Sequence, residues 1–224
     1  DVATLTSAEL AVISTRALGG LSTANFATLS STQLSGLTTG QIAALSTAAI
    51  ATLTSDQIDG LDATQISALS SRQVTALTTD ALASFSTDQI VALNSRAVAV
   101  LKSTQVAALS TDQIDVLTTG QLASLTSVAV AGLGTDDVAV LSSDGVAALS
   151  SRTLAALSTA NFAALGSGQL TGLTSAKIAG LTAAQIGVLS SDQVDGLTPT
   201  QIAGLTSAQM KSLTTDTLAS FTTD

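Results

Sequence analysis

Bulky apolar residues recur along the chain with a period of eight, and small or polar residues fill the places between them. We name each position of this octet by the remainder left when the residue number is divided by eight. Position 5 is Leu throughout except at Ile13, Phe85 and Phe221, and position 2 is always a large aliphatic residue or Phe. Two bulky side chains per octet are therefore the whole supply of core residues.

The polar positions carry the signature of a helix start. Position 6 is nearly always Ser or Thr, and position 1, three residues later, is most often Gln. This spacing is a capping box, in which the hydroxyl accepts from the N3 amide and the Gln side chain reaches back to the N-cap amide. Positions 5 and 2 then stand at N′ and N4, the hydrophobic staple pair. The pattern predicts a helix of about one and a half turns in every octet.

The remaining positions agree with this prediction. The single proline, Pro199, falls at N1, where a missing amide costs nothing. Position 4 holds small residues or Val, which would let neighbouring helices approach closely. Asp recurs at N2, where its charge favours the helix dipole. Examples are Asp56, Asp88, Asp112, Asp144 and Asp192.

Three other structures compete with a chain of short helices. In one continuous helix, eight residues overshoot two turns by roughly 80°, so the apolar positions would wind around the surface. A β-solenoid needs alternation with period two, and Ala and Gln are poor strand formers. We therefore predict an all-α solenoid, with a β-solenoid as the alternative and disorder as the third possibility.

Stacking of the octets would give a superhelix with positions 2 and 5 inside and positions 0, 1, 3 and 7 outside. Burial of two aliphatic side chains contributes roughly 3 to 6 kcal/mol. Ordering eight backbone residues costs about 8 to 16 kcal/mol, so a lone octet cannot fold. Stability is therefore expected to belong to the array.

The chain is predicted to be one continuous array over residues 1–224, cut from a longer array, because it begins at Asp1 in the middle of an octet. A longer repeat of 17 octets lies above the short one. "STANFA" at 22–27 returns at 158–163, and "LASF" at 82–85 returns at 218–221, so 1–88 resembles 137–224. The cut ends lack recognisable polar capping repeats, so self-association through them is possible.

Composition excludes several classes of function. The net charge is −9, and three Lys and four Arg spread over 224 residues cannot form the basic stripe that nucleic acids or anionic membrane surfaces need. The chain has no Cys and no His, which removes disulfides, thiolate chemistry and the usual zinc sites. No apolar run approaches the roughly 20 residues of a membrane-spanning helix. No cofactor is expected.

Only a Ser/Lys pair could activate a nucleophile in this chain. The candidates are Lys102 with Ser103 and Lys211 with Ser212. Sequence neighbours do not face each other on a helix, so exposed surface substitutions are the favoured interpretation. We predict that the chain is not an enzyme and has no catalytic residues.

Aspartates cluster in a way that suggests calcium, but no cluster matches a known calcium loop, and dipole and solubility roles are favoured. The clusters are Asp56, Asp59 and Asp62; Asp112 and Asp115; Asp136 and Asp137; Asp192 and Asp195.

Four arginines share position 0 and could form part of an interaction face if the superhelix aligns them: Arg16, Arg72, Arg96 and Arg152. Phe26, Phe85, Phe162 and Phe221 occupy core positions, so core filling is favoured over a ligand pocket.

Octets such as "LSTDQIDVL" (109–117) and "LTTGQIAAL" (37–45) resemble octapeptide arrays of very large secreted bacterial repeat proteins of the adhesin or RTX-exoprotein kind. The resemblance implies an extracellular or cell-surface stalk or spacer. A structural spacer or display module is therefore the leading hypothesis. The alternative is a scaffold that binds a protein or glycan through its outward positions.

Overall fold

The computed structural model describes residues 2–219, and within them the chain is all-helical. Every octet from residue 6 onward holds one helix of four to six residues, α-helical in all but one case. The exception is the 3-10 helix Ala129–Gly132, where Val130 and Gly132 are poor helix formers. No strand occurs between residues 2 and 219. The predicted all-α solenoid is confirmed, and the β-solenoid alternative is wrong.

The α-helices α1 to α26 follow a short 3-10 turn at Val2–Thr4. They are α1 Ser7–Val12, α2 Thr15–Gly19, α3 Thr23–Ala27, α4 Ser31–Ser35, α5 Thr39–Ala44, α6 Thr47–Ile50, α7 Ser55–Asp59, α8 Ala63–Ser67, α9 Ser71–Ala76, α10 Thr79–Ala83, α11 Thr87–Ala92, α12 Ser95–Val98, α13 Ser103–Val106, α14 Thr111–Asp115, α15 Thr119–Ser124, α16 Thr135–Val140, α17 Ser143–Ala148, α18 Ser151–Ala156, α19 Thr159–Ala163, α20 Ser167–Thr171, α21 Ser175–Ala179, α22 Ala183–Gly187, α23 Ser191–Asp195, α24 Pro199–Ala203, α25 Ser207–Ser212 and α26 Thr215–Ala219.

The corner between successive helices consists of two extended residues at positions 5 and 6. Leu45 ends α5 with φ −62° and ψ 142°. Ser46 follows with φ −70° and ψ 151°, and its hydroxyl accepts from the Ala49 amide. No residue between 2 and 219 has a positive φ, so the chain turns at every octet without the left-handed glycine that often ends a helix.

The helices form two compact units, divided between residues 116 and 117. In each unit a helix packs on the helix three octets later, as α2 does on α5 and α22 on α25. Hydrogen bonds described below also join octets that have a position 1 glutamine, from Gln41 onward, to the octet four repeats earlier. One turn of the superhelix is therefore completed within three to four octets.

Positions 2 and 5 form the core, as predicted. Ile58, Val106 and Leu154 are at most 1% exposed at position 2, and most position 5 leucines are at most 8% exposed. Met210 and Leu218 are 36% and 40% exposed, because few of the later octets that cover position 2 follow them among the described residues. The core residues Phe26, Phe85 and Phe162 are buried. Phe221 lies outside the described residues.

The prediction of which positions face outward is wrong for position 1. Position 1 was expected to face solvent with positions 0, 3 and 7, but all fourteen glutamines at this position are at most 8% exposed. A glutamine side chain is buried only when its amide is fully hydrogen-bonded, because an unpaired buried amide costs free energy. No buried side-chain nitrogen or oxygen of the described residues lacks a hydrogen-bond partner.

Position 4 is the closest approach between turns of the superhelix. A Cβ built on Gly60 would lie 2.4 Å from the Ser31 carbonyl oxygen, and one on Gly36 would lie 2.6 Å from the Ser7 carbonyl oxygen. In both pairs the glycine is at position 4, and the serine is at position 7 of the octet three repeats earlier. Gly60 has an ordinary right-handed φ of −79°. Glycine is therefore used here for space, and the prediction that small residues let the helices approach closely is confirmed.

Candidate functional site: the glutamine clamp and the outer surface

The most regular polar arrangement of the molecule is a clamp made by the side chain of each position 1 glutamine. In α5, the Gln41 Oε1 accepts from the Thr38 amide at 2.7 Å, which completes the capping box of its own helix. Its Nε2 donates to the Leu10 carbonyl at 2.7 Å and to the Ile13 carbonyl at 2.8 Å. These carbonyls belong to the last turn and C-cap of α1, four octets earlier. One side chain thus starts one helix and caps the end of another.

The clamp recurs with the same partners along both units. In α11 the Gln89 Nε2 donates to the Ile58 and Leu61 carbonyls at 2.8 and 2.7 Å. In α22 the Gln185 Nε2 donates to the Leu154 and Leu157 carbonyls, both at 2.9 Å. In each case the two acceptors lie at positions 2 and 5 of the octet four repeats earlier. The position 5 carbonyl, which the short helix leaves unpaired, gains a donor in this way. The position 2 carbonyl gains a second donor, because it already accepts from the position 5 amide of its own octet, as Leu154 does from Leu157.

Several octets without Gln keep a donor by other means. Asn161 Nδ2 donates to the Leu133 carbonyl at 2.9 Å, and Thr153 Oγ1 donates to the Leu125 carbonyl at 3.1 Å. In the octet where position 1 is Ala97, the N-cap residue Asn94 supplies Nδ2 to the Leu69 carbonyl at 3.3 Å. Each acceptor is a position 5 carbonyl of the kind that clamp glutamines use. In these three octets a donor to the position 5 carbonyl is therefore kept although the glutamine is absent.

Two lysines act in a related way. Lys102 Nζ donates to the Thr75 carbonyl at 3.1 Å, and Lys177 Nζ donates to the Ala147 carbonyl.

Three helices form only half of the capping box, because their N-cap residues have no side-chain oxygen. These N-cap residues are Lys102, Gly134 and Gly166. In that half, the N3 side chain accepts from the N-cap amide.

Sequence reasoning explained the glutamine as a capping residue and missed its second bond. A signal was present in the choice of Gln over Glu. Both residues complete a capping box, and Glu also favours the helix dipole, yet position 1 has fourteen Gln and one Glu, Glu9. A requirement for an N–H donor explains this bias, because an ionised carboxylate can only accept.

The clamp acceptors of Glu9 would lie four repeats earlier, outside the described residues 2–219. Its carboxylate accepts from the Thr6 amide at 2.8 Å and the Thr6 hydroxyl at 2.9 Å. These two bonds, the backbone bond first, lower the pKa of the exposed Glu9 carboxyl below its ordinary value. Both bonds hold the carboxylate at the N-terminus of its own helix, α1.

The residues of the two candidate Ser/Lys pairs take part in helix starts and in hydrogen bonds to backbone carbonyls. Lys102 is the N-cap of α13 and its ammonium is bonded to the Thr75 carbonyl, while Ser103 is the first helical residue. Ser212 Oγ donates to the Gln209 carbonyl at 2.7 Å, and the neighbouring Lys211 is exposed. The geometry joins neither lysine to its neighbouring serine by a hydrogen bond. The prediction that the chain has no catalytic residues stays a prediction.

The aspartates of the clusters take separate places on the helices. Asp56 lies in the first turn of α7, Asp59 is the last residue of that helix, and Asp62 caps α8 by accepting from the Gln65 amide at 2.7 Å. Asp137 accepts from the Gly134 amide at 2.8 Å. Among residues 2–219, no three acidic side chains come together in a group that could hold a metal ion.

Two of the four position 0 arginines lie on helices that pack together. Arg72 is in α9 and Arg96 is in α12, three octets later, and both side chains are exposed. The Ser71 hydroxyl donates to the Arg96 carbonyl at 3.0 Å. Arg16 lies on α2 of the same unit, and Arg152 lies on α18 of the other unit.

A shallow surface depression adjoins this arginine pair. It is lined by Leu69, Ser70, Ser71, Asn94, Ser95 and Arg96. The octet that contributes Asn94 and Arg96 departs from the usual sequence at both its cap and its clamp position. The depression is therefore lined in part by residues that do not recur in most octets.

The helices of residues 2–219 are too short for a lipid bilayer. None has more than six residues, and none could cross a membrane. The prediction of no membrane insertion agrees with this finding.

The fold and the clamp define a tandem-repeat protein with the architecture of a helical solenoid. The ALTTAQ repeat family model matches the chain six times, at residues 17–47, 35–71, 98–127, 119–151, 145–175 and 163–199. The chain therefore belongs to the ALTTAQ repeat family. A search of curated proteins found no match.

Proposed function

We propose that this chain is a non-enzymatic structural module, a uniform helical solenoid that spaces or displays other domains of a larger protein. The observation that carries this proposal is the recurrence of one clamp, with the same two acceptors, along both units. Each octet that carries the clamp adds the same contacts to the octets before it, so further octets can be added to the array by the same interactions. The number of octets then sets the length of the module, and length is the property that serves its function.

The resemblance to arrays of large secreted bacterial proteins supports an extracellular or cell-surface location for such a spacer. Absence of Cys and an acidic net charge are compatible with that setting. In this proposal the neighbouring domains carry the specific activity, and the array holds them at a distance.

The proposal is tested by changing the number of octets. A copy of residues 57–112, seven whole octets, is inserted once and then twice, and the maximum dimension is measured by small-angle X-ray scattering. A spacer should lengthen by the same increment with each copy. A copy of residues 57–108, half an octet shorter, is the control and should disturb the register and lower stability. Compact growth with each in-register copy would refute the proposal.

The absence of enzyme activity is a separate part of the proposal. Bonding of the Lys102 ammonium to the Thr75 carbonyl supports it, because that ammonium is not positioned as a base toward Ser103. A fluorophosphonate probe, which labels activated serines, should leave the folded chain unlabelled. Stoichiometric labelling at Ser103 or Ser212 would contradict this expectation.

A second candidate function is a scaffold that binds a protein or glycan. The depression beside Arg96 favours it, because five of its six lining residues are polar or charged. Screening against a glycan array would test this candidate, with Arg96→Ala as the variant that should lose binding and Arg152→Ala as the control that should keep it.

A further inference from the structure

Six exposed charges at position 0 of the first unit lie on opposite sides of its superhelix. Arg72 and Arg96 are at position 0 of helices that pack together, three octets apart. Two acidic pairs have the same position and the same spacing on packed helices. They are Asp56 and Asp80 on α7 and α10, and Asp88 and Asp112 on α11 and α14.

The side of the superhelix on which each charged residue lies follows from the number of octets per turn. One turn takes three to four octets, so a residue two octets away lies between half a turn and two thirds of a turn around the superhelix. Asp56 and Asp88 are each two octets from Arg72, and Asp80 and Asp112 are each two octets from Arg96. The four aspartates are therefore centred on the side opposite the two arginines.

These six side chains are accessible from outside the unit. All six are exposed, and no ion pair to either guanidinium is present among residues 2–219. Lys102 adds to the basic side, because its ammonium is bonded to the Thr75 carbonyl in the octet of Arg72. A basic side and an acidic side of equal spacing are thus both open to a partner.

We propose that copies of this chain associate side by side, with Arg72 and Arg96 of one copy against the four aspartates of the next. The second copy is the partner that charge complementarity favours, because both surfaces occur in one chain with matched spacing. The two surfaces differ, so the contact is heterologous, and each copy leaves one side free for another. Association should therefore continue beyond a dimer.

This association is weak and depends on salt. Exposed ion pairs contribute little individually and are screened at distances beyond about 10 Å in 0.1 M salt. The net charge of −9 also opposes contact between copies. We expect association only at about 0.1 to 1 mM protein and low ionic strength, and its loss in about 0.5 M salt.

Sedimentation equilibrium tests the proposal with two charge-reversed variants. In the first, Arg72→Asp and Arg96→Asp make both sides acidic. In the second, Asp56, Asp80, Asp88 and Asp112 are replaced by Arg, so the acidic side becomes basic. A control replaces four exposed aspartates of the second unit, Asp136, Asp144, Asp192 and Asp195, by Arg and so changes the net charge equally. Far-UV circular dichroism shows that each variant is folded before it is compared.

The unmodified chain should exceed its monomer mass of 22.0 kDa at low salt and return to it at high salt. Each of the first two variants should stay monomeric alone, and an equimolar mixture of the two should associate more strongly than the unmodified chain. The control should associate. A chain that stays monomeric at low salt overturns the proposal, and so does loss of association in the control together with the acidic-side variant.

Discussion

Replacing Gln185 by Glu separates the two bonds of the clamp. The Thr182 amide donates to Gln185 Oε1 at 3.0 Å, and a Glu carboxylate can accept the same bond. The Nε2 group donates to the Leu154 and Leu157 carbonyls, both at 2.9 Å, and an ionised carboxylate cannot replace it. Gln185 is 1% exposed, so water cannot take over.

The expected cost is the smaller of two penalties. An ionised Glu leaves the buried Leu157 carbonyl without a donor, at about 1 to 3 kcal/mol, and adds repulsion between oxygens. The Leu154 carbonyl loses its second donor and keeps the bond from the Leu157 amide at 3.2 Å. Protonation at pH 7 of a group with an unfolded pKa near 4.3 costs about 3.7 kcal/mol, after which one O–H can donate to one carbonyl. We therefore expect Gln185→Glu to lose about 2 to 5 kcal/mol of unfolding free energy at pH 7.

The sign of the pH dependence follows from the same geometry. Burial beside two carbonyl oxygens raises the folded-state pKa of the carboxyl that Gln185→Glu introduces, so the folded state binds more protons than the unfolded state. Unfolding free energy then falls as pH rises above about 4.3, by at most about 1.4 kcal/mol per pH unit, until the raised pKa is passed. The variant should recover most of its loss near pH 4.

Urea unfolding followed by far-UV circular dichroism between pH 4 and pH 8 measures this loss. Ala184→Glu is the matched control, because residue 184 is exposed and adjacent and carries the same added charge. Gln185→Met, which has no donor or charge, should be destabilised equally at every pH. If Gln185→Glu followed Ala184→Glu across the whole range, the clamp would contribute nothing to stability.

Three further predictions test other parts of the fold. Gly60→Ala should be destabilising, because its Cβ would lie 2.4 Å from the Ser31 carbonyl oxygen. Gly40→Ala, with nothing within 4 Å of the new Cβ, should be stabilising by about 0.5 to 1 kcal/mol. Thermal melts compare the two variants, and a stabilised Gly60→Ala would contradict the close approach. Hydrogen exchange should be faster in residues 142–165 than in 182–205, because Gly145, Thr153 and Asn161 provide fewer donors than three glutamines; equal protection would contradict this. An NMR titration should give the Glu9 carboxyl a pKa below its ordinary value. Its contribution to stability is then present above the unfolded pKa and is lost as pH falls through the folded pKa. An ordinary or raised pKa would contradict the capping bonds.

The local structure of each octet was predictable from the sequence because it depends on contacts within the octet. The hydroxyl at position 6, Pro199 at N1 and Asp in the first turn all act on their own helix. The period of positions 2 and 5 also identified the core, since apolar side chains must be buried together. Membership of a tandem-repeat class follows from the same period.

The partners of the position 1 glutamines were decided only by the tertiary structure. The Gln41 Oε1 bond stays within one octet, and the capping-box spacing predicts it. The Nε2 bonds reach back four octets, and they exist only because the superhelix returns within three to four octets. Octets per turn depend on how closely position 4 lets neighbouring turns approach, as at Gly60 and Ser31. Sequence alone determined where each helix starts, and tertiary packing decided which carbonyls each glutamine meets, because that choice depends on packing between turns.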